Sequence, residues 1–427
     1  MENRKIISIE VENLFNIYNH KINLKDGGIT IIYGPNGVGK TILLSMVHAF
    51  FSKNFSLFEK IPFTSFTIST TRETIIIYRH QNYLECLIGN KSTKIKFIDE
   101  GLSRIAKRIE RRIPFLEQIA DDSWLDLRTD EVLSSAELVE RYSEESEKIE
   151  PRYELINNII DSIHVFFIKT QRLQNDKKFL RYSPLRRKTI APESAVTVCS
   201  EKMKQILGDA LANYAKISQQ LDKTFPNRLL SREIDALSGS KLKDKMEQIE
   251  RKRRTLTDMN ILPNTEEGES ISYNTLNIDE LDENNRQVLS TYAEDSEKKL
   301  ISLEILYQKV RLMLDNINGK FKNKKLSINV DDGLVLYSNN DLPLNLSNLS
   351  SGEQHELVLM FNLLFNTQEN SLILIDEPEI SLHILWQKDF IKDIKSIINI
   401  THMNVIVATH SPSITEGYSN IMVGLNS

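Results

Sequence analysis

Eight residues near the amino terminus have the types and spacing needed to hold a chain of phosphates. Residues 34–41, GPNGVGKT, fit the pattern GxxxxGK[ST] and lie between an apolar run at 29–33 and a helical pattern at 42–51. Glycines let backbone N–H groups approach phosphate oxygens that a Cβ atom would keep away. The alternative, a glycine-rich turn that matches by chance, does not explain the strand and the helix on either side. We assign the nucleotide contacts to Gly34, Asn36, Gly37, Gly39, Lys40 and Thr41.

Two of these residues have distinct tasks in the predicted site. Lys40 would reach the β- and γ-phosphates of a nucleoside triphosphate, and the hydroxyl of Thr41 would bind the Mg²⁺ that bridges them. The sequence therefore predicts ATP and Mg²⁺ as cofactors.

Two adjacent carboxylates follow a second apolar run near the carboxyl terminus. Residues 372–375, LILI, read as a strand that is buried on both faces, and Asp376, Glu377 and Pro378 come directly after it. Asp376 would hold the Mg²⁺ shell, and Glu377 would accept a proton from the attacking water. The competing interpretation is an acidic cap at the start of a helix. The phosphate loop in the same chain favours the catalytic interpretation.

Two further strand ends carry polar candidates. The run 405–409 ends at His410, and the run 164–168 is followed by Gln171. Gln171 could contact Mg²⁺ and the γ-phosphate, although an ordinary polar residue after a strand is equally consistent with the pattern.

The segment 349–354, LSSGEQ, is a Ser-x-Gly turn that runs into an amphipathic helix upstream of the 372–378 strand. This order of motifs resembles ABC-type ATPases, in which two heads enclose ATP between them. The resemblance implies a homodimer or higher homo-oligomer, with Ser350, Gly352 and Glu353 of one copy contacting the nucleotide of another.

Together the motifs resemble the ABC-class AAA ATPases of the structural-maintenance, RecF and OLD types. The strings GPNGVGKT, FFIKTQRL, LSSGEQHELVLMFNLLF, LILIDEPEISLH and ATHSP are most similar to ATPase subunits of bacterial anti-phage defence systems, such as PtuA of Septu and AriA of PARIS. The resemblance implies that His410 is the switch histidine at the γ-phosphate and that His383 lies in the loop that connects the two sites. The chain departs from the common LSGGQ pattern at Ser351 and Glu353.

The resemblance implies one of two functions. In the first, ATP-bound heads act as a sensor or scaffold that controls a separate effector, a nuclease or toxin, in anti-phage defence. In the second, a RecF- or SMC-like repair ATPase clamps or loads onto DNA. An ABC transporter or translation factor fits poorly, because the chain has one head and a large insertion. Only 17 residues follow His410, so we expect any nucleic-acid cleavage to come from a partner.

Composition agrees with a globular cytoplasmic protein that has no membrane segment. The 427 residues are 26% charged and 40% hydrophobic, and two cysteines, Cys86 and Cys199, form neither a disulfide framework nor a metal-binding pattern. A net charge of −5 argues against wholesale coating of nucleic acid but leaves room for a local basic surface.

The spacing of the motifs indicates an inserted segment, since Ser350 lies 309 positions after Thr41. The predicted fold is α/β: a P-loop ABC-type head with a mixed sheet and an antiparallel β subdomain, interrupted by a large, mainly helical insertion. The helical arm is not a long coiled coil, because Pro226, the Gly239 region and the polar stretch 263–285 interrupt any heptad. The predicted segments are lobe I at 1–98, a helical segment at 99–163, the Gln171 strand and a basic loop at 164–190, a helical arm at 191–320, and lobe II at 321–427.

Basic residues are concentrated in three places outside the motifs. Five lie on one predicted helix, and the other groups are short runs at 186–188 and 251–254. They could follow a phosphate backbone or an acidic partner, but a solvated helix face is the more common explanation. The five are Arg104, Lys107, Arg108, Arg111 and Arg112.

Overall fold

The protein divides into two compact units. The computed structural model describes residues 4–96, 100–120, 122–127, 131–142, 154–168, 194–231, 235–263, 281–380 and 382–425. The first unit combines Met1–Thr170 with Thr367–Ser427, and the second is Gln171–Asn366. The second unit is thus an insertion in the first. The predicted lobe II, 321–427, is divided between the two units at residue 366.

The elements follow one another along the chain in three stretches. The amino-terminal stretch of the first unit contains β1 (Ile6–Leu14), β2 (Tyr18–Asn23), β3 (Ile29–Tyr33), α1 (Lys40–Phe51), α2 (Ser56–Lys60), β4 (Ser65–Thr70), β5 (Thr74–Arg79), β6 (Tyr83–Ile88), β7 (Lys91–Lys96), α3 (Glu100–Arg112), β8 (Leu116–Ala120), β9 (Ser123–Asp126), β10 (Glu131–Leu133), α4 (Ser135–Tyr142), α5 (Glu154–Ile160) and β11 (Val165–Ile168). The second unit contains α6 (Ala195–Ser231), α7 (Gly239–Asp258), α8 (Glu283–Ile301), α9 (Glu304–Lys320), β12 (Lys324–Asn329), β13 (Gly333–Ser338), β14 (Pro343–Leu344) and α10 (Ser351–Phe361). The first unit resumes with β15 (Leu372–Asp376), α11 (Ile384–Thr401), β16 (Asn404–Thr409), α12 (Pro412–Thr415) and β17 (Met422–Gly424).

A parallel sheet forms the centre of the first unit. Its strand order is β11-β15-β16-β3-β17, and every neighbouring pair is parallel. All five residues of β15 are buried, as are the last five of β16, which explains their unbroken apolar sequences. Because parallel strands end at the same edge, the sheet brings the residues after β3, β15 and β16 together. The first and last stretches of the chain therefore contribute strands to one sheet.

An antiparallel sheet accompanies it in the same unit. Its order is β2-β1-β4-β5-β6-β7, and inward side chains such as Ile68, Ile75 and Ile77 alternate with more exposed ones. The inward residues share one apolar cluster with α1. The α/β class is thus confirmed, with an antiparallel β subdomain and a large, mainly helical insertion. We predicted a mixed sheet in the head, but the five described strands beside the phosphate loop are all parallel.

The segment 99–163 differs from the helical structure that we predicted. It contains the three-stranded antiparallel sheet β10-β9-β8 between α3 and α4. A small apolar core forms where α3 and α4 cover the sheet, with Trp124, Leu116 and Leu133 among its buried residues. Strands of three to five residues are stable here because three of them pair in one sheet and the two helices bury one of its faces.

The second unit is built on a long helix that continues through a proline. We expected Pro226 to interrupt the arm, but α6 extends from Ala195 to Ser231. The Thr224 hydroxyl donates to the carbonyls of Gln220 and Leu221, and the Arg228 guanidinium also donates to the Leu221 carbonyl. These side-chain bonds lie in the turn before Pro226, whose ring leaves the Asp222 carbonyl without its usual N–H donor.

Other parts of the second unit agree with the predicted boundaries. A new helix, α7, begins at Gly239, and the hairpin β12–β13 turns at Asp332-Gly333. A Cβ atom at Gly333 would lie 2.0 Å from the carbonyl oxygen of Ser200, so this turn requires glycine. Of the polar stretch 263–285, residues 264–280 lie outside the described residues, and α8 already begins at Glu283.

Among the described residues, no helix is long and apolar enough to cross a membrane.

Candidate functional site

The phosphate loop connects β3 to α1 at the edge of the parallel sheet. Gly37 and Gly39 have φ angles of +87° and +94°, which L side chains rarely adopt. Lys40 is buried, and its ammonium donates to the carbonyl oxygens of Gly34 and Pro35 at 2.8 and 2.9 Å. The lysine therefore lies along the loop, where an arriving phosphate can exchange with these carbonyls.

Two glycines of the loop have no room for a side chain. A Cβ atom at Gly39 would lie 2.7 Å from Cδ2 of Leu14, and one at Gly34 would lie 2.9 Å from the Leu425 carbonyl oxygen. Gly37 and Asn36 are exposed at the outer part of the loop. The glycine spacing thus has two causes, namely left-handed backbone and close packing.

Thr41 and Asp376 meet across the sheet edge. The Thr41 hydroxyl donates to both carboxylate oxygens of Asp376, at 3.1 and 3.0 Å. Burial raises the pKa of Asp376, the hydrogen bond from Thr41 lowers it, and the nearby carboxylates of Glu377 and Glu379 raise it further. The net direction is upward, because the buried negative charge has only partial compensation. A cation bound here would remove that cost.

Glu377 leaves the strand in an unusual backbone conformation. Its φ angle is +44°, in the left-handed region, and its N–H donates to the Ala408 carbonyl at 2.9 Å. The left-handed turn directs the Glu377 side chain away from that of its neighbour Asp376. An outlier of this kind costs about 1–3 kcal/mol and persists only where surrounding contacts hold it.

His410 lies next to Glu377 at the end of β16. Its Nδ1 is 3.7 Å from Oε1 of Glu377, and 44% of its side chain is exposed. A base and a polar group that point toward solvent beside the phosphate loop are placed to act on a bound water. The structure thus brings Lys40, Thr41, Asp376, Glu377 and His410 to one edge, and their individual roles stay predictions.

Sequence reasoning missed Glu379, which makes closer contacts with His410 than Glu377 does. Its Oε1 accepts the His410 backbone N–H at 2.9 Å and lies 3.1 Å from the ring Nδ1. The side chain is 7% exposed, and within the described part of the chain its Oε2 has no hydrogen-bond partner. Glu379 is therefore placed to fix the orientation of the histidine ring. The acidic spacing in Asp-Glu-Pro-Glu was the available signal.

The remaining sequence candidates are distributed differently. Gln171 lies outside the described residues, as does Ser381. His383 caps α11, where its Nδ1 accepts the Leu385 N–H at 3.3 Å. The segment before α11 and the first turn of that helix expose three large apolar side chains, each at least 60% exposed: Ile380, Ile384 and Leu385.

The Ser-x-Gly turn belongs to the second unit, where it starts α10. Ser350 is the N-cap, with its side chain accepting the Glu353 N–H, and Glu353 Oε2 accepts the Ser350 N–H at 2.7 Å. Oε2 also accepts the Ser350 hydroxyl at 2.9 Å and the Lys324 ammonium at 2.8 Å. Burial opposes ionisation of Glu353, but these hydrogen bonds outweigh it and hold its pKa below the ordinary value.

The turn is consequently shaped within its own chain. Ser350 and Ser351 are exposed, and Gly352 is partly exposed in the first helical turn. The Glu353 carboxylate is engaged in the capping box and the ion pair, and its predicted contact with nucleotide stays a prediction. The groups that a second molecule could reach are therefore those of the exposed Ser350 and Ser351 and of the partly exposed Gly352.

The residues at the sheet edge fit a nucleoside triphosphate with a divalent cation. The donor set of Thr41 hydroxyl and Asp376 carboxylate consists of hard oxygen ligands, which Mg²⁺ prefers. The first-turn N–H groups of α1 have no acceptors within the helix and form an anion site together with Lys40. A cation near Asp376 would also offset the carboxylate charge that burial disfavours.

Comparison with known proteins agrees with this fit. A family model described as an AAA ATPase domain matches residues 5–415. A comparison with curated proteins finds no match. Among solved structures, the Smc head domain with an extended coiled coil bound to the C-terminal domain of ScpA, from Pyrococcus furiosus, has 12% identity over 99% of this chain and 93% of that chain, with a TM-score of 0.37. The SMC head domain from Thermotoga maritima has 10% identity over 99% and 95%, with a TM-score of 0.37.

Proposed function

The chain belongs to the AAA ATPase domain family, and we propose that it binds ATP with Mg²⁺ and hydrolyses it to ADP and phosphate. The observation that carries this proposal is the contact of Thr41 with Asp376 beside Lys40, at the strand edge that also bears Glu377. Thr41 and Asp376 would hold Mg²⁺, which would supply positive charge to offset the negative charge of the triphosphate during hydrolysis.

The side chains divide the work around the triphosphate. Lys40 would release the Gly34 and Pro35 carbonyls and bind phosphate oxygens, while Thr41 and Asp376 hold the cation. Glu377 would accept a proton from water, and His410, oriented by Glu379, would donate a hydrogen bond to the γ-phosphate or the water.

We propose further that hydrolysis requires two copies, with Ser350 and Gly352 of one facing the phosphate loop of the other. The exposed, preformed turn supports this arrangement, since it offers its groups to another molecule. The exposed Ile380, Ile384 and Leu385 beside the acidic strand end provide apolar surface for such an interface.

Three variants test the composite site. Glu377→Gln should bind ATP but hydrolyse it at least 100-fold more slowly, on the order expected for loss of a general base. It should also accumulate as an ATP-dependent dimer in size-exclusion chromatography. Lys40→Ala should lose nucleotide binding, whereas Ser350→Arg should bind ATP without dimerising. Wild-type turnover in Ser350→Arg would refute the two-copy site, and absence of ATP binding by the wild type would refute the proposed function.

The biological role that we propose is a sensor or scaffold that controls a separate nuclease or toxin in anti-phage defence. The motif strings support it, and so does a surface suited to a protein partner. Three apolar side chains in or directly after the strands of the three-stranded sheet are each about half exposed: Ile119 at 51%, Leu127 at 52% and Val132 at 51%. Full protection against phage by this protein without any second factor would argue against an effector.

DNA clamping is the second candidate function, and helix α3 favours it. Four cations occupy one exposed face, opposite the buried Ile105 and Ile109, and none of them has an ion-pair partner among the described residues; they are Arg104, Lys107, Arg108 and Arg111. Unpaired cations on one helix face fit a phosphate backbone.

A DNA-binding assay separates the two candidates. Replacing both Arg104 and Arg108 by Glu should weaken binding of a DNA duplex. It should also make the slope of log K against log salt concentration shallower by about two, because two phosphate contacts are lost. The matched control replaces Lys388 and Lys392, an exposed pair with the same spacing on α11. Equal affinity in both double variants would remove α3 from DNA binding and leave the effector role.

A further inference from the structure

A buried histidine on β2, His20, contacts the backbone of the phosphate loop. Nε2 of His20 lies 2.7 Å from the carbonyl oxygen of Val38, and the residue is 3% exposed. Its ring stacks on Tyr18, with centroids 5.6 Å apart and planes inclined by 14°. His20 therefore contacts the loop through the carbonyl of the residue between Gly37 and Gly39.

The hydrogen bond determines the tautomer of the ring. A carbonyl oxygen only accepts, so Nε2 of His20 must carry the proton that it donates to Val38. Nδ1 is then a bare acceptor, and it has no hydrogen-bond partner in the described part of the chain. A buried acceptor without a donor is unfavourable. The unfavourable burial of Nδ1 thus accompanies the hydrogen bond that Nε2 donates to Val38.

Peptide geometry converts this bond into a constraint on the loop. The carbonyl of Val38 and the N–H of Gly39 belong to one planar trans peptide, in which they point in opposite directions. Since His20 holds the Val38 carbonyl, the Gly39 N–H points away from His20. The left-handed φ of +94° at Gly39 is compatible with this orientation only because the residue is glycine.

We propose that His20 is a positioning residue for nucleotide binding: by holding the Val38 carbonyl, it aims the Gly39 N–H at a phosphate oxygen of the diphosphate portion. This inference rests on the proposed binding of ATP. It assigns His20 no contact with the nucleotide and no part in proton transfer.

The connection between β1 and β2 supports the histidine from the same side. Leu14 and Phe15 both lie within van der Waals reach of a Cβ built at Gly39. Asn13, Phe15 and Asn16 all have positive φ angles, between 55° and 61°. Such backbone is held in place by contacts, here including the Phe15 N–H to the Pro62 carbonyl at 2.8 Å. The segment therefore forms a fixed support against which the loop is placed.

Two substitutions separate the donated bond from the packing of the ring. His20→Gln keeps an N–H donor near the end of the side chain, and His20→Met keeps the approximate size without any donor. The matched control is His80→Met. His80 also stacks on a tyrosine, Tyr83, at 4.5 Å and 21°, but its Nε2 lies 3.3 Å from Glu85 and touches no part of the loop.

Calorimetric titration of each full-length variant with ATP and with ADP measures the effect. We expect His20→Met to bind both nucleotides about tenfold more weakly, the effect of about one hydrogen bond. His20→Gln should recover most of the affinity, and His80→Met should bind as the wild type does. Steady-state hydrolysis should show a raised KM with kcat little changed, because the loop holds ground state and transition state alike.

Other outcomes overturn the inference. If His20→Gln loses as much affinity as His20→Met, the ring's packing and not its donor matters. If both variants bind normally, with only a lower melting temperature, His20 stabilises the fold alone. Should His20→Met fail to fold, the comparison of His20→Gln with the wild type still decides, since an affinity loss near tenfold would contradict rescue by the donor. Failure of the wild type to bind ATP would instead refute the proposed function.

Discussion

The packing of Leu14 against Gly39 predicts that two glycines of the same loop differ in their tolerance of alanine. Both have φ near +90°, but a Cβ at Gly39 would lie 2.7 Å from Leu14 Cδ2, whereas one at Gly37 meets nothing within 4 Å. Leu14 is fully buried, so its side chain has little room to move away. Gly39→Ala should therefore destabilise the first unit more than Gly37→Ala does.

The two contributions can be estimated separately. The left-handed backbone costs a non-glycine residue about 1 kcal/mol at either position. Apolar carbons prefer separations of about 3.5–4.0 Å, so the Cβ at residue 39 would be too close by about 1 Å. Overpacking of this kind costs about 1–3 kcal/mol. The expected losses of unfolding free energy are about 1 kcal/mol for Gly37→Ala and about 2–4 kcal/mol for Gly39→Ala.

A double-mutant cycle with Leu14→Val isolates the contact. Valine suits a strand and removes the δ-carbons, so in this background Gly39→Ala should cost only about 1 kcal/mol. Both tryptophans, Trp124 and Trp386, belong to the first unit, and their fluorescence during urea unfolding therefore reports on that unit. The expected coupling energy is about 1–3 kcal/mol.

The cycle can also refute the reasoning. If Gly39→Ala costs the same with Leu14 and with Val at position 14, the contact is not the cause. Equal costs for Gly37→Ala and Gly39→Ala in the wild-type background would mean that backbone conformation alone explains why these positions are glycine.

Three further substitutions should change stability or activity in a direction that follows from the charges beside the phosphate loop and in the Ser-x-Gly turn. Asp376→Asn should raise the melting temperature of the nucleotide-free protein by on the order of 2 °C, since it removes a buried charge whose pKa is raised, and should abolish Mg²⁺-dependent hydrolysis. Glu379→Gln should lower kcat by roughly tenfold or more with little change in KM, because His410 loses its charged partner. Glu353→Gln should destabilise the second unit at neutral pH. Because the folded-state pKa of Glu353 lies below its unfolded value, this difference from the wild type should shrink as pH falls below about 4.3 toward that lower pKa in denaturant titrations.

The central sheet was predictable because burial on both faces leaves a strong mark on sequence. The apolar runs 29–33 and 372–375 became β3 and most of β15, and the loop and helix after β3 followed from glycine and lysine spacing. The hairpin at Asp332-Gly333 was equally readable, since a specific turn chemistry stood between two alternating strands.

The segment 99–163 was less predictable because its strands are too short to have a clear period. Strands β8, β9 and β10 have five, four and three residues, and a helix on each side supplies most of the apolar pattern. The prediction that Pro226 interrupts the arm was wrong for a different reason. Helix α6 continues through the proline, and the side chains of Thr224 and Arg228 donate to the Leu221 carbonyl in the preceding turn, which only the folded structure reveals. In both cases tertiary context decided the outcome.

The residues that meet at the edge of the parallel sheet could be predicted from the sequence, but the contacts between them could not. Motif spacing identified Asp376, Glu377 and His410, yet the partner nearest to the histidine ring is Glu379. The positive φ of Glu377 explains the difference. It turns the chain so that the carboxylate two residues later returns toward His410, and no helix or strand period describes such a turn.

The departure of LSSGEQ from the common LSGGQ pattern has a physical explanation in the second unit. Glu353 completes a capping box with Ser350, as a glutamine could, but unlike glutamine it adds a negative charge to a turn that we propose to meet a triphosphate. Lys324 lies 2.8 Å from that carboxylate and also donates to the Asn348 carbonyl at 3.0 Å. The ion pair neutralises the charge and ties the turn to β12. Glu353 and Lys324 therefore act as one unit that keeps Ser350 and Gly352 in a fixed shape, and this shape suits the contact with a second copy's triphosphate that we propose.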